Sequence, residues 1–336
     1  METLQQSPFS NDQYTVGWIC ALPIELAVAK GTLDEEHGAP QTPTAEADQN
    51  AYLLGRVGNF KVVVACLPND QISSVSAAVV AGDIVSTFPK IRIGLLVGIG
   101  AGIPDEDNDS RLGDVVFSSD KESGGVVVYD FGKRLADGSF QRISILNRPP
   151  RSLSSALVQL EAAHMTRETH ISHYIDTMLQ KHPIMRKAGY RRPAQDTDRL
   201  FDAHYQHSAG RTCKGCDPSE EVSREPRQDK YPLWTIATGD SVIKHAPTRE
   251  ELKQTHNAIC LEMEASGLMN NFPCLIIGGI SDCADSHKND RWHAYAAAAA
   301  AGCAKEVLQY VLPKEVDLAS AAKDVLGQGT NFETVR

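Results

Sequence analysis

The chain has 336 residues, 42% of them hydrophobic, with a formal net charge of −10 and a sequence pI near 5.6. That apolar content suffices for one large α/β domain or two ordinary ones. The acidic balance argues against a nucleic-acid partner, which needs a concentrated basic surface. No run of about 18 apolar residues is present to span a membrane. The start, Met1-Glu-Thr-Leu-Gln-Gln-Ser-Pro, has neither the basic residues nor the apolar run of a signal peptide. Eight cysteines, six of them isolated in apolar or helical contexts, fit a reducing compartment better than a disulfide framework. A cytoplasmic globular protein is the expectation.

Residues 14–21 read as a strand, and Pro23 opens a helix reaching Leu33, at a position where its missing N–H would be unpaired anyway. Residues 32–50 are polar and turn-rich. A strand at 60–67, a small-residue helix at 73–88 and a strand at 91–97 follow, the last running into Gly98-Ile-Gly-Ala-Gly-Ile103. Short strands at 114–119 and 125–129 precede a helix at 152–164. Residues 165–230 are polar, show little apolar period and break the rhythm. Beyond them come a strand at 233–237, a helix near 248–257, a short helix at 265–271 and an apolar run at 274–280 that reads as a buried strand. A final helix at 295–312 carries six consecutive alanines. Strands alternating with helices imply an α/β protein whose mostly parallel or mixed sheet is covered on both faces. Residues 1–312 are expected to form a single domain with 165–230 as an insert, and 313–336 a tail or linker.

The most informative stretch is Leu261-Glu-Met-Glu264, followed sixteen residues after Glu264 by Ile280-Ser-Asp-Cys-Ala-Asp285. A helix, a strand, then an acid at the strand's exit is how an α/β enzyme presents carboxylates at one rim of its sheet. From the residues alone, each acid also has a plainer reading. Asp282 can cap a turn after a strand. Glu262 and Glu25 can complement the dipole at a helix start, and Met263 can fill a core.

Six motifs in order carry a resemblance: Ile19-Cys-Ala-Leu-Pro-Ile-Glu25, Val97-Gly-Ile-Gly-Ala-Gly102, Arg111-Leu-Gly-Asp-Val-Val116, Ala237-Thr-Gly-Asp-Ser-Val-Ile243, Leu261-Glu-Met-Glu264 and Ile280-Ser-Asp282. Together they resemble the nucleoside phosphorylase/nucleosidase superfamily, which includes purine and uridine phosphorylases and methylthioadenosine/S-adenosylhomocysteine nucleosidase. Val128-Tyr-Asp-Phe-Gly-Lys133 and Ala284-Asp-Ser-His-Lys-Asn289 look most like the phosphorylase-type N-terminal domains of fungal modular immune-receptor-like proteins. The resemblance covers roughly residues 14–312 without the insert. It implies a central mixed sheet flanked by helices on both faces, a small-molecule purine nucleoside or nucleotide as partner, no cofactor, and a homo-oligomer.

It also implies roles. Glycosidic cleavage leaves negative charge on the base, so a general acid is needed at purine N7. Asp282 matches that acid, with Ile276, Ile277, Ile280 and Cys283 as an apolar surround that would keep it protonated. Glu264 matches the carboxylate that accepts from the ribose 2′- and 3′-hydroxyls, with Met263 against the sugar and Glu262 and Ser281 beside them. Glu25 matches the nucleosidase base that deprotonates water. Ile99, before Gly100, stands where phosphorylases and nucleosidases commonly place a Ser or Thr, and Leu95-Leu96 lack the arginine that hexameric phosphorylases carry before this turn. Both absences favour hydrolysis over phosphorolysis. Val242 and Ile243 match the base-reading loop without its usual aromatic, and Trp292 matches a pocket-lining ring. The expected activity is purine nucleoside N-ribosyl hydrolysis. Its alternatives are an ATP-type nucleotide nucleosidase, a purine nucleoside phosphorylase and a sensor that binds without turnover.

The insert carries two further signals. Seven cations fall within residues 183–215 (Arg186, Lys187, Arg191, Arg192, Arg199, Arg211, Lys214), and Arg224 and Arg227 follow. They read as a solvated face or as a site for substrate phosphates. His204, His207, Cys213 and Cys216 offer four zinc ligands at a spacing that is a weak zinc signal.

Overall fold

The structure is a computed structural model that describes residues 5–42, 44, 46–105, 108–120, 124–208, 210, 212–227, 231 and 233–328. Four buried runs make the centre of the sheet: β1 (Val16–Cys20), β4 (Phe60–Cys66), β5 (Ile93–Gly102) and β13 (Cys274–Asp282). They lie in the order β13-β5-β1-β4, all parallel. Burial on both faces is why their sequences run apolar without alternation. Antiparallel strands extend both sides: β6 (Val115–Ser118) on β13, then β3 (Tyr52–Val57) and β2 (Glu35–Gly38) beyond β4. β10 (Leu233–Trp234) pairs with β6. A second arm branches from the far end of β5, where β12 (Cys260–Glu262) pairs antiparallel and leads to β11 (Ile236–Thr238) and β7 (Val126–Val128). β8 (Gly132–Arg134) and β9 (Phe140–Arg142) form a separate hairpin.

The sheet is mixed and flanked by helices, as the motif order implied. On one face α1 (Pro23–Thr32), α3 (Arg151–His164) and α4 (Ile171–Lys181) pack around α8 (His293–Tyr310). On the other, α2 (Ser74–Thr87) packs against α7 (Ala265–Leu268). The alanine run of α8 is explained by proximity: a Cβ on Gly279 of β13 would stand 2.1 Å from the Ala296 carbonyl oxygen. Helix and strand backbones nearly touch, so nothing larger than a methyl fits between them.

Two readings of the sequence need correction. Residues 32–50, expected to be turns, contain β2, and β3 follows them where no strand was expected. β2 is a sheet edge with Glu35 and Glu36 exposed, and charges on an edge discourage pairing with other chains while hiding the strand pattern. The insert is also not uniformly polar. Ile171, Ile175, Met178 and Leu179 recur at helical spacing and bury α4 between α1 and α8. A Cβ on Gly31 of α1 would lie 2.7 Å from Met178 Cγ, so that glycine admits the helix. After α8 the chain forms α9 (Pro313–Leu318) and α10 (Ala322–Gln328), where Val316 and Ala322 are buried and the Ala322 N–H donates to the Ile91 carbonyl at 2.8 Å. Among the described residues no helix is long and apolar enough to cross a membrane.

Candidate active site

β1, β5 and β13 are parallel, so their carboxyl ends open on one rim, where clefts form in such sheets. The chain leaves β1 through Ala21 and Leu22 into α1, which carries Glu25 on its first turn. β5 ends through Ile99 and Gly100, and β13 ends at Asp282. β12 crosses the end of β5 and delivers Glu262, Met263 and Glu264. A cavity of about 200 Å³ lies between them, also walled by Val242, Ile243 and Ser281.

Glu25 is buried at 3% exposure. Its Oε2 accepts the N–H groups of Ala21 (2.7 Å) and Leu22 (2.9 Å), and its Oε1 accepts that of Ile99 (2.9 Å). The carboxylate therefore caps α1 and faces the cavity at once. Burial raises its pKa to about 7, against the pull of the three amides. Oε1 has one donor and keeps a lone pair. A Cβ on Gly98 would lie 2.8 Å from that oxygen, so the glycine permits the approach.

Glu262 Oε2 accepts the N–H groups of Glu264 (3.0 Å) and Ala265 (2.9 Å), which secures the start of α7. Glu264 is buried, and burial followed by the charges of Glu262 and Glu25 holds its carboxyl well above the usual range. A carboxyl in that state gains from a polyol that supplies the missing donors.

Asp282 departs from its expected apolar surround. Lys288 Nζ stands 2.5 Å from its Oδ2, the Ser281 hydroxyl donates to the same oxygen at 3.1 Å, and the Ala284 N–H donates to Oδ1 at 3.0 Å. The isoleucines lie beneath it in β13, but the cavity side is ionic. Across the cavity Val242 is 56% exposed at the rim, facing the same opening as Ile72 at 39%. The loop bearing Val242 is tied down by Tyr129, whose hydroxyl donates to the Ser241 carbonyl, and by Asp130, which accepts the Asp240 N–H at 2.8 Å. Asp240 in turn accepts from the backbone and hydroxyl of Ser74 at the start of α2.

Comparison with known proteins places this arrangement. No protein-family model matches the chain. Over 307 residues it is 40% identical to a nucleotide-binding leucine-rich repeat-like protein of Hyaloscypha variabilis, covering 90% of this chain and 30% of that protein. It is 25% identical over 307 residues to ATP nucleosidase Cap17 of Escherichia coli, covering 87% of this chain and 50% of that one. The chain thus spans half or less of these relatives' length. Among solved structures, 5′-methylthioadenosine/S-adenosylhomocysteine nucleosidase of Helicobacter pylori aligns with a TM-score of 0.57 at 14% identity, over 88% of this chain and 98% of that one. Futalosine hydrolase of the same organism aligns with a TM-score of 0.55 at 16% identity, over 89% and 99%. The fold and the sequence relatives together fit the nucleoside phosphorylase/nucleosidase superfamily.

Some of the residues singled out by superfamily resemblance lie elsewhere. Trp292 is 1% exposed and is not a cavity wall. Its Nε1 donates to Thr197 Oγ1 at 3.2 Å, and Arg192 lies over its ring. Arg224 pairs with Asp109 (3.3 Å) and Asp198 (3.0 Å), and Arg227 with Asp114 (2.6 Å) and Asp109 (3.7 Å). Neither arginine lines the cavity, so their expected phosphate role is replaced by a buried ion-pair cluster. His207, Cys213 and Cys216 are grouped within 4.8 Å of one another, whereas His204 is outside that group. No disulfide joins any of the eight cysteines.

Sequence reasoning missed Ile72, Lys288 and His293, all cavity walls. Lys288 sits in the quoted 284–289 motif without an assigned role. Only the fold around Ala284, at φ +51°, turns it back onto Asp282. Burial lowers the pKa of His293 below its ordinary value, which favours the neutral ring.

Proposed function

We propose that this chain hydrolyses the N-glycosidic bond of a purine nucleoside, releasing free base and ribose. The observation that carries the reading is the convergence of the buried Glu25, Glu264 and Asp282 on one cavity at the strand ends. Glu264 accepts hydrogen bonds from the ribose hydroxyls, with Met263 against the sugar. Ile72, Val242 and Ile243 offer the base an apolar slot. The bond between C1′ and N9 breaks with its electron pair passing to the base, and a proton reaches N7 from the Asp282–Lys288 pair. Water, held at the open lone pair of Glu25 Oε1, attacks C1′ and gives its proton to Glu25. A base poised near neutral pH suits that transfer.

Hydrolysis is preferred to phosphorolysis for an electrostatic reason. The Ile99 N–H at the glycine turn donates to a carboxylate, so a second anion there would meet repulsion and a spent donor. The fit to that superfamily and the similarity to proteins named as nucleosidases support the same class.

A nucleotide substrate is the second reading. A polar cavity of about 250 Å³ bearing Arg199, Lys214, Lys288 and Arg291 shares Ser281 and Asp282 with the first, and Cap17 is named for ATP. The test is kcat/KM for adenosine, guanosine, AMP and ATP, with and without inorganic phosphate. The first reading expects nucleosides to lead and turnover to ignore phosphate. Ribose 1-phosphate as product would overturn hydrolysis, and a strong preference for ATP would favour the second reading.

A further inference from the structure

We propose that His207, Cys213, Cys216 and His287 bind a zinc ion that ties the insert to the loop bearing Lys288. One ring nitrogen of His207 and the two Sγ atoms lie within 4.8 Å of one another. With Zn–S of about 2.3 Å and Zn–N of about 2.0 Å, tetrahedral ligand atoms stand roughly 3.5–3.8 Å apart. Closing on an ion therefore takes a movement of about an ångström. Cys213 and Cys216 flank one tight turn, with the Cys216 N–H returning to the Cys213 carbonyl at 3.2 Å. His207 is anchored apart from them: its N–H donates to Ser286 Oγ at 2.9 Å, and its Nε2 stands 3.3 Å from the Thr212 carbonyl. A hydrogen bond from one ring nitrogen to a carbonyl leaves the other nitrogen the lone pair a metal needs.

His287 supplies an independent observation. Its ring is buried, stacked on Phe201 with centroids 4.2 Å apart, with Tyr205 at 5.5 Å. Neither ring nitrogen has a hydrogen-bond partner among the described residues, and Nδ1 is 3.7 Å from Asp285 Oδ1. A buried polar group in that position calls for a specific explanation, of which an unrecorded ion is one. Its centroid is 5.5 Å from that of His207, with the rings at 74°. Two imidazoles on one tetrahedral ion have centroids about 5 Å apart. Cys213 Sγ also lies 3.8 Å from the His287 carbonyl. The His287 ring nitrogens stand outside the 4.8 Å group of the other three donors, so a rotation of that side chain must bring one of them to the ion.

Two sulfurs and two imidazoles suit zinc rather than magnesium or calcium, and a full set of protein donors marks a structural ion, not a catalytic one. Bound there, it would clamp His207, Cys213 and Cys216 onto residues 285–289 and so fix the wall from which Lys288 reaches Asp282. The assignment does not depend on the substrate or on the reaction.

The test uses the full chain, reduced, dialysed and titrated with zinc alone, with metal content read by mass spectrometry and thiols by titration. One zinc per chain is expected, with a higher melting temperature in the loaded form. Cys213→Ser, Cys216→Ser and His287→Ala should each weaken zinc binding at least tenfold, while His204→Ala should not. Cobalt loading of the unaltered chain should give the visible absorption of a tetrahedral thiolate–imidazole site, which keeps the test decisive if a variant fails to fold. Stoichiometry near zero, or a disulfide between Cys213 and Cys216 with no metal uptake after reduction, overturns the proposal. Undiminished zinc affinity in His287→Ala overturns the four-ligand assignment.

Discussion

Glu25→Gln separates the roles of that side chain. Burial lifts the Glu25 pKa from an ordinary 4.5 to about 7, a difference of roughly 3 kcal/mol against the ionised form. Because the folded-state value lies above the unfolded one, the folded chain binds this proton more tightly. The group's contribution to stability is full below pH 4.5 and declines by roughly 3 kcal/mol as the pH rises to about 7. Glutamine removes that cost but introduces another. The carboxylate accepts three backbone N–H groups through both oxygens, so an amide nitrogen must turn toward a donor on one side. An unsatisfied buried donor costs about 1–3 kcal/mol. Above pH 7 the two effects nearly cancel, and the variant should fold with stability within roughly 2 kcal/mol of the parent. Activity should not be spared. Loss of a general base lowers kcat by roughly 10²–10⁴. In the unaltered enzyme kcat/KM should fall about tenfold per pH unit below the Glu25 pKa, and the residual rate of the variant should be flat there. Base release followed chromatographically across this range, beside denaturant melts, measures both. A flat parental profile, or a Glu25→Gln rate within a few-fold of the parent, would refute the reasoning.

Asp282→Asn should lower kcat at least about 10²-fold while the chain stays folded, and an unchanged rate would reduce Asp282 to a turn residue. Lys288→Met should lower kcat with little change in KM, because the proton donor pair is broken. An unchanged kcat in that variant would refute the pair. Arg227→Ala should destabilise the chain by roughly 3 kcal/mol in urea melts, since it strips the cation from Asp114, whose side chain is 2% exposed. A stable variant with a raised KM for nucleotides alone would restore the phosphate role.

The central strands and the site's carboxylates were legible because each depends on local pattern. Val62 to Ala65 and Leu275 to Ile277 are continuous apolar runs, and the acids follow strand or helix signals directly. What escaped depends on distant chain. β3 gains its partner only when β4 forms, and its tyrosine and arginine blur the alternation. Lys288 reaches Asp282 through a reversal at Ala284, a non-glycine residue in the left-handed region that no turn rule flags. Trp292 was placed by its offset from Asp282, but the insert delivers Thr197 and Arg192 to the ring and closes it from the cavity. The helical period of α4 was present in the sequence, at Ile171, Ile175 and Met178, and was masked by the polar residues between them.

The basic character of the insert shows how a one-dimensional charge count misleads. Read along the chain, the cations of residues 183–215, with Arg224 and Arg227, look like an excess awaiting an anionic ligand. In space several of them are paired, two of the acids coming from far along the chain: Arg199 meets Glu221, Arg224 meets Asp109 and Asp198, and Arg227 meets Asp114. Asp109 and Asp114 flank Arg111, so the Arg111-Leu-Gly-Asp motif serves here as the dock onto which the insert is bolted. Arg111 is itself buried and pairs with Asp109, whose carboxyl is held below its usual range, despite burial, by Arg111 and by the charges of Arg224 and Arg227. Removing a single arginine leaves a buried carboxylate without its partner, which is why the expected effect of Arg227→Ala is on folding and not on substrate affinity. Among the described residues, Arg199, Lys214, Lys288 and Arg291 line the second cavity beside Asp282, and of these only Lys288 also lines the cavity of the three carboxylates.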